Sequence, residues 1–132
     1  MSPLFRTIDC VQLYVPDIEE GLAFYRDALG HEIIWRTDNA VGLRLPESDA
    51  EIVLQTQRPA SEIDLKVQSA DTAAQQIAAS GGKVRIPPFD IQIGRAAVVE
   101  DPWGNQFVVL DCTKGFLVTD EAGNILGNRH DT

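Results

Sequence analysis

From Ile8 to Val15 apolar and polar positions alternate along the chain. Asp9, Val11, Leu13 and Val15 fall on one side; Ile8, Cys10, Gln12 and Tyr14 fall on the other. This period of two predicts a strand whose first set packs under a helix and whose second, mixed set floors a cleft. The period then lengthens. Ile18, Leu22, Tyr25 and Leu29 share one helical stripe, with Asp17 as N-cap, Glu20 completing a capping-box pattern and Gly30 as the left-handed stop. Three shorter strands follow near Glu32 to Arg36, Val41 to Leu45 and Glu51 to Thr56, and Arg58-Pro59-Ala60-Ser61 reads as a linker.

The pattern then restarts. Ile63, Leu65 and Val67 alternate with Glu62, Asp64, Lys66 and Gln68, and a helix of small residues runs from about Asp71 to Gly81-Gly82. A shift of roughly 52 positions places Val11 on Ile63, Leu13 on Leu65, Val15 on Val67 and Gly30 on Gly82. Two strand-like runs flank Asp101-Pro102-Trp103-Gly104-Asn105, a type I turn by residue choice, which predicts a hairpin. Two strand-helix-three-strand modules result, so the fold class is α+β. Each module alone leaves the non-helical face of its sheet bare, and the two are expected to form a curved mixed sheet around a central cleft. Beyond Asp111, Phe116 to Thr119 and Ile125-Leu126 around Asp120 to Asn124 predict an added β-hairpin, suited to an edge extension, a dimer contact or a lid.

Composition narrows the function classes. The chain has 132 residues and ordinary apolar content, which suits one domain. A formal charge of −9 argues against nucleic acid as a partner. No apolar run is long enough for a bilayer and the N-terminus lacks a charged region before an apolar one, so no membrane partner and a cytoplasmic location are expected. Cys10 and Cys112 are expected to stay reduced there.

Val15-Pro16-Asp17, Phe24-Tyr25-Arg26-Asp27, Leu29-Gly30 and Asp101 to Asn105 together resemble the vicinal oxygen chelate superfamily over nearly all of residues 6 to 111. That group includes glyoxalase I, extradiol dioxygenases, methylmalonyl-CoA epimerase, fosfomycin-resistance enzymes and bleomycin-binding proteins. The resemblance implies the glyoxalase/bleomycin-resistance fold for a single domain over 1–132: module one over 6–58, module two over 61–112 and an extension over 113–132. It also implies a homodimer, since a second chain commonly completes the cleft in this family.

In metal-using members one residue from each of four strands holds the ion. Carried over by position, those residues are Cys10, Gln55, Glu62 and Val108. Val108 has no donor atom, Gln55 is a weak neutral ligand and Cys10 binds only as a soft thiolate, whereas a catalytic divalent site needs about three good ligands. His31 lies in the turn after Gly30 and His130 in the tail, so neither completes the set. No cofactor is therefore expected; a metal, if bound, would fall to Cys10, Gln55 and Glu62. The leading reading is a protein that binds a small molecule in the cleft through Cys10, Gln12, Tyr14, Trp35, Gln55, Glu62, Asp64 and Val108. One alternative is a lyase, isomerase or dioxygenase-type enzyme with an atypical metal site and Glu62 as catalytic base. Another is a non-catalytic interaction module. Glu62 and Asp64 point to the same strand face with Lys66 in reach of Asp64, which leaves Glu62 the less compensated carboxylate. A neutral-to-cationic ligand is expected on that ground.

Overall fold

The computed structural model describes residues 3–130, which fall into two compact units. One comprises residues 9–62 with 118–127; the other comprises 3–8, 63–117 and 128–130.

The first unit holds module one. Its strands are β1 (Thr7–Tyr14), β2 (Ile33–Arg36), β3 (Ala40–Arg44) and β4 (Glu51–Gln55), in the order β2-β3-β4-β1, with β1 parallel to β4 and the other pairs antiparallel. Asp17 caps α1 (Ile18–Leu22), its carboxylate accepting the Glu20 N–H at 3.0 Å. Val15, Ile18, Leu22, Val41, Leu43 and Leu54 form the core between helix and sheet, with Leu13, Tyr25, Ile33 and Ile52 packed against it. The expected stripe holds through Tyr25 but loses Leu29, which is 54% exposed. The cause is a π-helical continuation over Ala23–Ala28, where the Leu29 N–H bonds the Phe24 carbonyl five residues back. That wider turn rotates later side chains off an α-helical stripe.

The second unit repeats this plan. Its strands are β5 (Glu62–Lys66), β6 (Lys83–Ile91), β7 (Gly94–Glu100) and β8 (Gln106–Leu110), in the order β5-β8-β7-β6, with β5 parallel to β8. Glu62, the first residue of β5, counts with the first unit. Ser69 caps α2 (Ala70–Ala79) through the Thr72 N–H at 3.2 Å, matching the Asp17 cap under the repeat. The Val15 N–H bonds the Gln55 carbonyl, and the Val67 N–H bonds the Leu110 carbonyl in the same way. Ala70, Ala73 and Ala74 are buried, and their small side chains let α2 lie close on its sheet.

Asp111 ties this unit together. Only 2% exposed, it accepts the Ala70 N–H at the start of α2 at 2.8 Å, the Arg95 N–H at the start of β7 at 3.0 Å, and both the N–H and hydroxyl of Thr113. Burial pushes its carboxyl up, but these donors outweigh that and hold it below the usual carboxylate range.

The tail forms the hairpin β9 (Phe116–Thr119) and β10 (Ile125–Arg129). Its turn repeats the one between β7 and β8. Asp101 accepts the N–H groups of Trp103 and Asn105 and the Asn105 amide; Asp120 accepts those of Ala122, Asn124 and the Asn124 amide. Gly104 and Gly123 take the same left-handed φ, 90° and 89°. The side-chain bond from the asparagine is the main reason each aspartate is held below the ordinary carboxylate range. Gly123 lies against β2: the Arg36 N–H bonds its carbonyl at 2.7 Å, and a Cβ there would meet Ile33 at 2.7 Å. The turn tip thereby covers part of an edge strand.

On β3, Gly42 lies under the Trp35 indole, and a Cβ at that position would overlap the ring at Nε1. The ring's Nε1 donates a hydrogen bond to Glu51 Oε1, so Gly42→Ala is expected to displace the ring and break that bond, costing about 1–2 kcal/mol. Urea denaturation, with a shift in tryptophan emission, checks this; unchanged stability and emission would refute the packing argument.

Candidate functional site

Val41, Leu43, Leu54 and Leu13 point to the helix of the first unit, so the alternate positions face the other way. That face carries Cys10, Gln12 and Tyr14 on β1, Gly42 on β3, and Glu51, Val53 and Gln55 on β4. Registers Gln12↔Val53, Val53↔Gly42 and Gly42↔Trp35 set one row across the sheet. Trp35 joins the row through a register shift between Ile33 and Trp35. Its Nε1 donates to Glu51 Oε1 at 2.7 Å.

Arg58, read from sequence only as linker, is the cation of this face. Its Nε donates to Glu62 Oε2 at 3.2 Å and its Nη2 to Gln12 Oε1 at 2.6 Å. The Glu62 side chain is 7% exposed and that of Arg58 50%. Glu62 is therefore not the uncompensated carboxylate expected from the Glu62–Asp64–Lys66 row, because the loop after β4 returns a guanidinium onto it. The ground for a cationic ligand falls with that expectation. Glu62 Oε1, however, is buried and has no hydrogen-bond partner among the described residues. Leaving such an oxygen unmet costs about 1–3 kcal/mol.

Gln55 is buried and turned onto its own loop. Its Oε1 accepts the N–H groups of Gln57 at 2.8 Å and Arg58 at 2.7 Å, while its Nε2 donates to the carbonyls of Arg58 and Ala60. Both ends of the amide are thus engaged by backbone. The registers add a further point. Gln12 pairs with Val53 and its repeat counterpart Asp64 pairs with Val108, so Val53, not Gln55, is the counterpart of Val108.

The remaining sequence candidates separate. Cys10 is buried at 4%, and neither it nor Cys112 is in a disulfide. Tyr14 is 43% exposed beside Gln12. In the second unit Asp64 is buried and paired with Val108, which lies in an apolar cluster with Ala96, Val98 and Leu110, packed by Ile91 and Ile93. Two arginines outside that set form ion pairs, Arg44 at 4.0 Å from Glu32 and Arg95 with Asp71 and Asp90. A polar cavity of about 440 Å³ lies elsewhere in the first unit, lined by Asp17, Glu19, Arg36, Asp38, Thr56 and Asn124 among others.

These residues do not fit a metal centre. Arg58 occupies Glu62 Oε2, backbone groups occupy Gln55, and Val108 offers no donor. Among the described residues no three His, Cys, Asp or Glu side chains form a metal-binding group. No helix of the described chain is long and apolar enough to cross a membrane.

The sequence matches the family described as Glyoxalase/Bleomycin resistance protein/Dioxygenase superfamily over residues 7–109. Among curated proteins none matches it. In structure it is similar to methylmalonyl-CoA epimerase from Mycobacterium tuberculosis, with a TM-score of 0.70 and 16% identity over 84% of this chain and 91% of that one. It is also similar to an extradiol ring-cleaving dioxygenase from B. fuscum, with a TM-score of 0.61 and 24% identity over 85% of this chain. The match spans 34% of that enzyme's chain. At these identities the likeness extends to the fold.

Proposed function

We propose a metal-independent small-molecule-binding role for this chain, which belongs to the Glyoxalase/Bleomycin resistance protein/Dioxygenase superfamily. The ligand is held on the non-helical face of the first module's sheet, around Gln12, Tyr14, Arg58 and Glu62. The observation that carries this reading is Arg58. Its guanidinium supplies a fixed positive charge to the carboxylate that the family resemblance puts at a metal-ligand position. A guanidinium already bonded to that carboxylate takes up the oxygen that a metal ion would need. Pairing of two chains is part of the same proposal, and light scattering that shows a monomer at micromolar concentration would remove that part.

Metal analysis of protein purified without chelators is expected to find no stoichiometric divalent ion. Stoichiometric nickel, zinc, iron or manganese that disappears in Glu62→Ala would overturn the reading. Calorimetry that detects no small-molecule binding at this face would instead favour an interaction module.

One observation favours a second reading. Among the described residues nothing donates to the buried Glu62 Oε1, which leaves that oxygen's lone pairs available to a general base role. Proton exchange into a bound carbonyl compound in heavy water, followed by NMR and lost in Glu62→Gln, would establish catalysis in place of binding alone.

A further inference from the structure

We propose that Arg58 is the ligand-recognising cation of this face, that Gln55 positions it, and that with Tyr14 it takes a flat molecule bearing a carboxylate. This rests on the small-molecule reading above and supplies the ligand class.

Gln55 fixes the backbone of the loop that carries Arg58 from both sides, bonding its N–H through Oε1 and its carbonyl through Nε2. Glu62 and Gln12 then orient the guanidinium by taking one hydrogen on Nε and one on Nη2. A guanidinium carries five N–H donors in a rigid fork. Three remain, two on Nη1 and one on Nη2, and one from each nitrogen can meet the two oxygens of one carboxylate. The Arg58 side chain is half exposed, which leaves it open to a ligand, whereas Glu62 behind it is buried. Holding a guanidinium in one geometry before the ligand arrives removes part of the ordering cost of binding.

Tyr14 supplies the second contact. It lies two residues beyond Gln12 on the same strand face, about 7 Å along β1, and its ring is part exposed. A planar apolar body attached to the carboxylate can rest against it.

The charge balance supports an anion despite Glu62. A carboxylate on these donors lies about 3 Å from the guanidinium and roughly twice as far from Glu62 across it. Attraction therefore exceeds repulsion about twofold at equal dielectric.

The test uses three probes of one shape, 2-naphthoate, 2-naphthamide and 2-naphthylmethylamine, titrated calorimetrically into the full chain. The expected order of affinity is carboxylate, amide, amine. Arg58→Ala is expected to weaken naphthoate about tenfold, the loss of one charge-assisted pair, and to leave the amine no weaker. Arg58→Lys keeps the charge without the fork and is expected to fall between. Tyr14→Ala is expected to weaken all three probes alike. Gln55→Glu, by loosening the loop, is expected to lower the ratio of carboxylate to amide affinity, a ratio that general destabilisation would not move. If naphthoate binds Arg58→Lys and Arg58→Ala as tightly as the parent, or if the amine binds tightest, this inference fails while the binding role stands. If no probe binds at millimolar concentration, both fail.

Discussion

Asp111→Ala is expected to destabilise the protein by about 4 kcal/mol, more than the loss of either partner in the Arg58–Glu62 pair. The carboxylate is 2% exposed and gathers the first N–H of α2, the first strand of the hairpin and the loop beyond β8 onto one side chain. Truncation leaves the N–H groups of Ala70, Arg95 and Thr113 without that acceptor at once. A buried donor left unmet costs about 1–3 kcal/mol. Gly94 shows the same crowding from the other side, since a Cβ there would overlap both the Asp111 carbonyl oxygen and Oδ1. Urea denaturation gives the number, and a loss below about 1 kcal/mol, the cost of one ordinary hydrogen bond, would mean the network is not what holds α2 in register.

The same residue makes stability depend on pH with a definite sign. Its folded pKa lies below the unfolded value of about 3.9, so the ionised form favours folding at every pH above that value. This contribution fades as pH falls through the folded pKa and is gone once both states are protonated. The stability gap between the parent and Asp111→Asn should therefore be widest above about pH 5 and should narrow as pH falls below the unfolded value of about 3.9. Taking the difference cancels the exposed carboxylates that titrate alike in both proteins. A gap that stays constant across that range would show that charge on Asp111 does not contribute.

Removing the Arg58 side chain is expected to cost about 2–3 kcal/mol, and most of that loss should vanish when Glu62 is also neutralised. Breaking a buried pair leaves the other charge uncompensated, which costs about 3–5 kcal/mol where both partners are buried. Here only Glu62 is buried and Arg58 is half exposed, so solvent reduces the figure. In Arg58→Ala, Oε2 of the buried Glu62 loses its donor, and among the described residues Oε1 already has none. Arg58→Ala combined with Glu62→Gln should thus be nearly as stable as Glu62→Gln alone. Additive losses in the two single variants would show that the 3.2 Å contact carries no coupling.

Much of this architecture is legible in the chain because it is written in local spacing. The period of two before Asp17, the stripe after it and the restart near Glu62 give both modules. Asp17 and the Asp101-to-Asn105 turn bond to backbone only a few residues away, as their sequences imply. The recurrence of Asp-x-x-Gly-Asn at Asp120 to Asn124 is equally visible in the chain, as a sign that the tail repeats the hairpin turn. Tertiary structure decided the rest. Leu29 leaves its stripe because one wider turn rotates the end of the helix. Gln55 and Arg58 carry no periodic signal, and their roles depend on where the loop after β4 doubles back. That return puts Arg58 on Glu62 and on Gln12, 46 residues away in sequence. The partner of a buried charge depends on which segments meet in space, and local pattern does not encode that meeting.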